Sequence, residues 1–125
     1  MVGATRPSTP IRLILAEDDQ FIRVRLRALL EHEPDLQVVA AVADGKDALT
    51  LTRALLPDVL LLDEHMPGAL GSDVAEALAH EGIRTRVVVY SAESRAVGSA
   101  RNVKVSFVAN DERLTILLAQ IRSAD

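Results

Sequence analysis

Five short apolar runs, IRLILA (Ile11–Ala16), LQVVAAV (Leu36–Val42), VLLL (Val59–Leu62), RVVVY (Arg86–Tyr90) and VSFVA (Val105–Ala109), alternate with stretches whose apolar residues recur at helical spacing. Runs this short and this uniformly apolar read as strands covered on both sides, because a strand with one wet face would alternate apolar and polar residues. Strand and helix in strict alternation imply a parallel sheet with crossover helices on both faces, a doubly wound α/β fold.

The intervening stretches fit that plan. Gln20–Glu33 places Ile22, Leu26, Leu29 and Leu30 on one stripe with Arg23, Arg25 and Arg27 opposite, and Pro34 ends it. Lys46–Leu56 aligns Ala48, Leu51 and Leu55 before Pro57, and Ser72–His80 turns Val74 and Leu78 inward with Ser72 as its expected cap. The last helix repeats Leu114, Leu117, Leu118 and Ile121 at i, i+3, i+4 and i+7. Ser94–Asn102 is the weakest, with Gly98 at its centre and only Ala96, Val97 and Ala100 to bury. Residues 1–10 show no apolar period and read as a flexible tail, leaving residues 11–123 as one domain.

Composition narrows the function. A chain of 125 residues with 49% hydrophobic residues supports one real core. The lack of cysteine excludes disulfides and thiolate metal sites and suits the cytoplasm. The longest apolar run, VVAAVA at Val38–Ala43, falls far short of the roughly 20 residues a membrane span needs. A net charge of -4 with 2% aromatic residues argues against direct binding of nucleic acid, which relies on clustered cations and stacking platforms.

The chemistry is signalled by VLLLDEHMPG, Val59–Gly68, where an apolar run stops at Asp63 and a Pro-Gly turn follows. The first strand also ends in acid, ILAEDD, with Glu17, Asp18 and Asp19. Open α/β sheets bind ligands beyond the carboxyl ends of their strands, at the point where strand order reverses. In a sheet ordered 2-1-3-4-5 that point lies between strands one and three, so Asp18, Asp19 and Asp63 are expected to share one crevice. Like charges so close resist ionising together unless a cation joins them. Mg²⁺, which takes oxygen ligands and keeps several waters, suits the set; Zn²⁺ does not, since His32, His65 and His80 show no ligand spacing.

With these residues in hand the chain resembles the receiver domain of two-component response regulators. The likeness rests on Asp18-Asp19 after the first strand, D-x-x-M-P-G at Asp63–Gly68 with a further Gly71, and Ser91-Ala92 closing VVVYSA, and it runs from Ile11 to Arg122. The wording is most similar to receivers usually followed by a helix-turn-helix DNA-binding output domain, and no such domain lies within these residues. The resemblance implies a flavodoxin-like sheet of five parallel strands and an Asp63 that accepts a phosphoryl group from a histidine kinase, taking part in its own phosphorylation and dephosphorylation rather than serving as a turnover enzyme. It further implies Mg²⁺ positioned by Asp18, Asp19, Asp63 and the backbone carbonyl of His65. Ser91 would bind the phosphoryl group, and Phe107 would act as an aromatic switch reporting to the surface. Partners would be the kinase, an output domain or protein docking on the face made by the fourth helix, fifth strand and last helix, and a second copy in a homodimer; transcription is the expected process.

One position departs from the pattern. The family places a lysine three residues after the strand-five aromatic, and here FVAND puts Asn110 there. Asparagine is neutral and several ångströms too short to deliver a charge to the phosphoryl group. Capture by Mg²⁺ alone is compatible with this, while coupling to the strand-five surface should weaken. The alternative is a pseudo-receiver, an interaction module of the same fold that no longer switches. An aspartate-nucleophile phosphatase ranks last, because it would want a second acid where His65 stands.

Overall fold

The computed structural model describes residues 9–64, 66, 71–90 and 111–123. Eight elements follow one another: β1 (Ile11–Ala16), α1 (Gln20–Glu31), β2 (Leu36–Val42), α2 (Gly45–Leu55), β3 (Val59–Asp63), α3 (Gly71–His80), β4 (Arg86–Tyr90) and α4 (Asp111–Arg122). The strands form one sheet in the order β2-β1-β3-β4, every described pair parallel. The reversal between β1 and β3 is where the sequence places it. The predicted fifth strand, Val105–Ala109, and the weak helix Ser94–Asn102 lie outside the described residues, as do residues 1–8 of the tail.

Successive strand residues point to opposite faces, and both faces are covered. Leu13, Leu15, Val59, Leu61, Val88 and Tyr90 pack on one side with Leu26 and Leu30 of α1 and Leu117, Leu118 and Ile121 of α4. Ile14, Ala16, Leu60 and Leu62 pack on the other with Ala48 of α2 and Val74 and Leu78 of α3. This division explains why the runs are apolar without alternation. All five residues of β3 are buried, so shortening one leucine there should cost about 2–5 kcal/mol. Among the described residues no helix is long and apolar enough to cross a membrane. The outer side of α1 leaves Phe21 and Val24 in solvent.

The sheet is fastened at its amino end by Asp58. Its Oδ2 accepts from the Arg12 N–H at 2.9 Å, its own N–H donates to the Arg12 carbonyl at 2.9 Å, and its carbonyl accepts from the Arg86 N–H at 3.0 Å, so one residue ties β1, β3 and β4. Two arginines from the same strand ends cap helices. Arg12 Nη1 donates to the carbonyls of Leu55 (2.9 Å) and Leu56 (3.2 Å) at the carboxyl end of α2. Arg86 donates to the carbonyls of Gln120 (3.2 Å) and Ile121 (2.6 Å) at that of α4. A cation at a helix carboxyl end meets both the orphan carbonyls and the negative end of the helix dipole. Leu56 itself takes a left-handed conformation (φ 48), which closes α2 ahead of Pro57. Ser72, expected to cap α3, falls within the helix, which begins one residue earlier at Gly71.

Candidate functional site

The registers set the site. Ala16 pairs with Leu62 across β1 and β3, and Asp63 pairs with Tyr90 across β3 and β4, so Glu17, Asp63 and Tyr90 arrive side by side at the carboxyl rim. Glu17 extends β1 by one more bond, its N–H donating to the Val42 carbonyl at 2.9 Å. The carboxylates of Glu17, Asp18 and Asp63 each offer an oxygen within 4.8 Å of the other two. Glu17 is 1% exposed and Asp63 4%, while Asp18 faces solvent. The crevice therefore has two buried acids at its floor and one at its mouth.

Glu17 is held at both oxygens. Its Oε1 accepts from the Tyr90 hydroxyl at 2.5 Å, and its Oε2 accepts from the Asp19 N–H at 3.0 Å. Burial, opposed by the two donors and aided by the charge of Asp63 and a hydrogen bond shared with it, raises the Glu17 carboxyl to about 7. Burial, then the charge of Glu17 and the hydrogen bond to it, drive the Tyr90 phenol well above its ordinary range, so it stays a donor. Arg23 Nη1 donates to the Glu17 carbonyl at 2.8 Å, and the Glu64 N–H donates to the Tyr90 carbonyl at 2.8 Å, which locks the backbone on both flanks.

Of the predicted residues, the structure joins Asp18 and Asp63. It gives Asp19 a different task from the expected share in the metal crevice. In extended backbone (φ -78, ψ 118), Asp19 accepts the Ile22 N–H at Oδ1, 3.0 Å away, and so caps α1. Glu17 takes the place in the cluster instead. His65, Ser91, Phe107 and Asn110 lie outside the described residues. Tyr90 and Glu17 escaped the sequence reading. The available signals were an acid directly after the apolar run of β1 and the chain's single tyrosine at the end of β4.

The donor set fits Mg²⁺. All three groups are hard oxygen donors, and each offers an oxygen within 4.8 Å of the other two, close enough for one small divalent ion to join them. The upward push on Glu17 from Asp63 is itself a measure of the repulsion a cation would relieve.

Comparison with known proteins agrees with this architecture. Residues 13–109 match the family described as the response regulator receiver domain. Over 82 residues the chain is 35% identical to the nitrate/nitrite response regulator protein NarP of Escherichia coli (strain K12), covering 66% of this chain and 38% of that protein. Over 83 residues it is 45% identical to protein-glutamate methylesterase/protein-glutamine glutaminase 5 of Myxococcus xanthus (strain DK1622), covering 66% of this chain and 24% of that protein. The chain thus spans well under half the length of these curated relatives. Among solved structures, the signal receiver domain of NarL from Mycobacterium tuberculosis superposes with a TM-score of 0.76 at 28% identity, covering 92% of this chain and 98% of that one. The response regulator domain of Thermotoga maritima CheB gives 0.74 at 25% identity, covering 90% and 94%. A parallel sheet reversing between β1 and β3, an acidic crevice at that reversal, and a family match across most of its length make this chain a member of the response regulator receiver domains of two-component signalling systems.

Proposed function

We propose that Asp63 is the phosphoacceptor and that Glu17, Asp18 and Asp63 hold one Mg²⁺ beside it. The observation that carries this reading is the convergence of the three carboxylates at the rim where β1 and β3 end. A carboxylate oxygen of Asp63 attacks the phosphorus of a phosphohistidine on the kinase. The P–N bond breaks as the P–O bond forms, the imidazole leaves with a proton from solvent, and the product is an acyl phosphate. Bound Mg²⁺ would neutralise charge on the transferred oxygens. The chain's own contribution is orientation: β3 fixes Asp63, and Asp19 and Tyr90 fix Glu17. The backbone carbonyl of His65 completes the ligand set in this reading, Ser91 receives a phosphoryl oxygen, and Phe107 carries the state to the surface formed with the last helix.

The output is an attached domain or a separate protein. Similarity to the transcriptional regulatory protein LiaR of Bacillus subtilis (strain 168) points to transcription control as the process. Asn110, in place of a lysine, weakens the link between capture and surface change.

Incubation with acetyl phosphate and Mg²⁺ should yield one phosphoryl adduct by intact mass, absent without the metal and absent in Asp63→Asn. No adduct in the unaltered protein would overturn the reading and leave an interaction module. An adduct with no change in backbone exchange or association state would mean capture without switching, and Asn110→Lys should then restore the response.

A further inference from the structure

We infer that Tyr90 is a positioning residue for the metal site, its hydroxyl fixing the carboxylate of Glu17 in the place a magnesium ligand must occupy. The inference rests on the reading above that Glu17, Asp18 and Asp63 hold Mg²⁺. Tyr90 touches the site from two directions. Its backbone is the register partner of Asp63 and accepts the Glu64 N–H at 2.8 Å. Its side chain crosses to β1 and donates to Glu17 Oε1 at 2.5 Å. The ring has no exposed surface and belongs to the core packed under α1 and α4. The hydroxyl is therefore a fixed point anchored in the hydrophobic core.

Glutamate needs such an anchor, because its extra methylene adds a torsion that must be stopped before the group can ligate. The Tyr90 hydroxyl at Oε1 and the Asp19 N–H at Oε2 hold the carboxylate plane at both ends. The carboxylate so held offers an oxygen within 4.8 Å of one from Asp18 and one from Asp63, the groups a shared cation would join. Partners of this kind, which orient a ligand without touching the ion, typically govern about 10–100-fold in metal affinity. They also bear on selectivity. Mg²⁺ demands near-ideal octahedral geometry and Ca²⁺ accepts irregular shells, so a rigid carboxylate favours the smaller ion.

The chain has one tyrosine and no tryptophan, so tyrosine emission reports this hydroxyl alone. Mg²⁺ and Ca²⁺ are titrated into the full chain by calorimetry, with Tyr90 emission followed in parallel. Tyr90→Phe should weaken Mg²⁺ binding about tenfold, weaken Ca²⁺ less and so narrow the ratio between them. In a Glu17→Gln background the same change should have little further effect. Unaltered Mg²⁺ affinity and ratio in a folded Tyr90→Phe protein would overturn the inference and leave the metal site standing. Binding that is absent in the unaltered protein, or indifferent to Asp63→Asn and Asp18→Asn, would overturn the metal site and this inference together. Should Tyr90→Phe not fold, the unaltered protein decides: saturation with Mg²⁺ should change Tyr90 emission and should not do so in Glu17→Gln. Constant emission at saturation would overturn it.

Discussion

Arg122, in the last turn of α4, donates from Nε and Nη2 to the two oxygens of Asp35, each at 2.7 Å, and so fastens α4 to the turn that leads into β2. Nη2 also reaches Glu33 at 2.7 Å. The Arg122 guanidinium holds the Asp35 carboxyl below its ordinary 3.8. A depressed carboxyl contributes stability above its unfolded value and loses it as pH falls through its folded value. The groups are partly solvated, so Arg122→Met should cost only about 1 kcal/mol at neutral pH in denaturant titration. That difference should shrink as the pH is lowered below 3.8.

Glu17 carries the opposite sign. Its folded carboxyl sits at about 7 against an ordinary 4.5, so the native state holds a proton that the unfolded chain has released. The resulting stabilisation is full below 4.5 and is lost as pH rises through about 7. In chelator, the thermal midpoint should fall across this window relative to Glu17→Gln, which lacks the titration. Added Mg²⁺ should reverse the trend, with apparent affinity about tenfold weaker at one pH unit below the Glu17 value than well above it. A midpoint with the same pH dependence in both proteins would contradict the assignment.

Asp18 and Asp19 are adjacent in sequence and differently placed, and two alanine variants can separate the roles proposed for them. Asp19→Ala removes the α1 cap and should cost about 1 kcal/mol in thermal or denaturant unfolding while Mg²⁺ still binds. Asp18→Ala should leave stability within about 0.5 kcal/mol, as for an exposed position, and weaken Mg²⁺ binding severely. The reverse pattern by calorimetry would return Asp19 to the metal.

Thr52 is fully buried in α2, and its hydroxyl has no hydrogen-bond partner among the described residues. A buried hydroxyl left unpaired forfeits its hydration without return. Thr52→Val, close in shape, should stabilise the protein by about 1 kcal/mol in a denaturant titration.

Much of the fold was legible in the sequence because strands covered on both faces leave uninterrupted apolar runs. Leu13 and Ile14, adjacent and both fully buried, serve different faces of the sheet. Helix ends followed local chemistry, with Pro34 and Pro57 close behind α1 and α2. Of the expected site residues, Asp18 and Asp63 come together, while His65, Ser91, Phe107 and Asn110 lie outside the described residues. Three successive acids, Glu17, Asp18 and Asp19, invite more than one assignment, and what separates them is tertiary: Glu17 meets a hydroxyl 73 positions away, whereas Asp19 caps the helix beside it. No local pattern encodes the first of these. Tyr90 was hidden for the same reason, since a tyrosine closing a strand looks like core until its partner is seen.

The Asp58 clasp and the two helix-capping arginines all lie at the rim of the sheet opposite the carboxylates. A protein built this way keeps these three joints at the pole away from its acidic edge. Loops at the acidic pole can therefore be rewritten, by evolution or by an engineer, while the joints that hold the strands in line go on holding them.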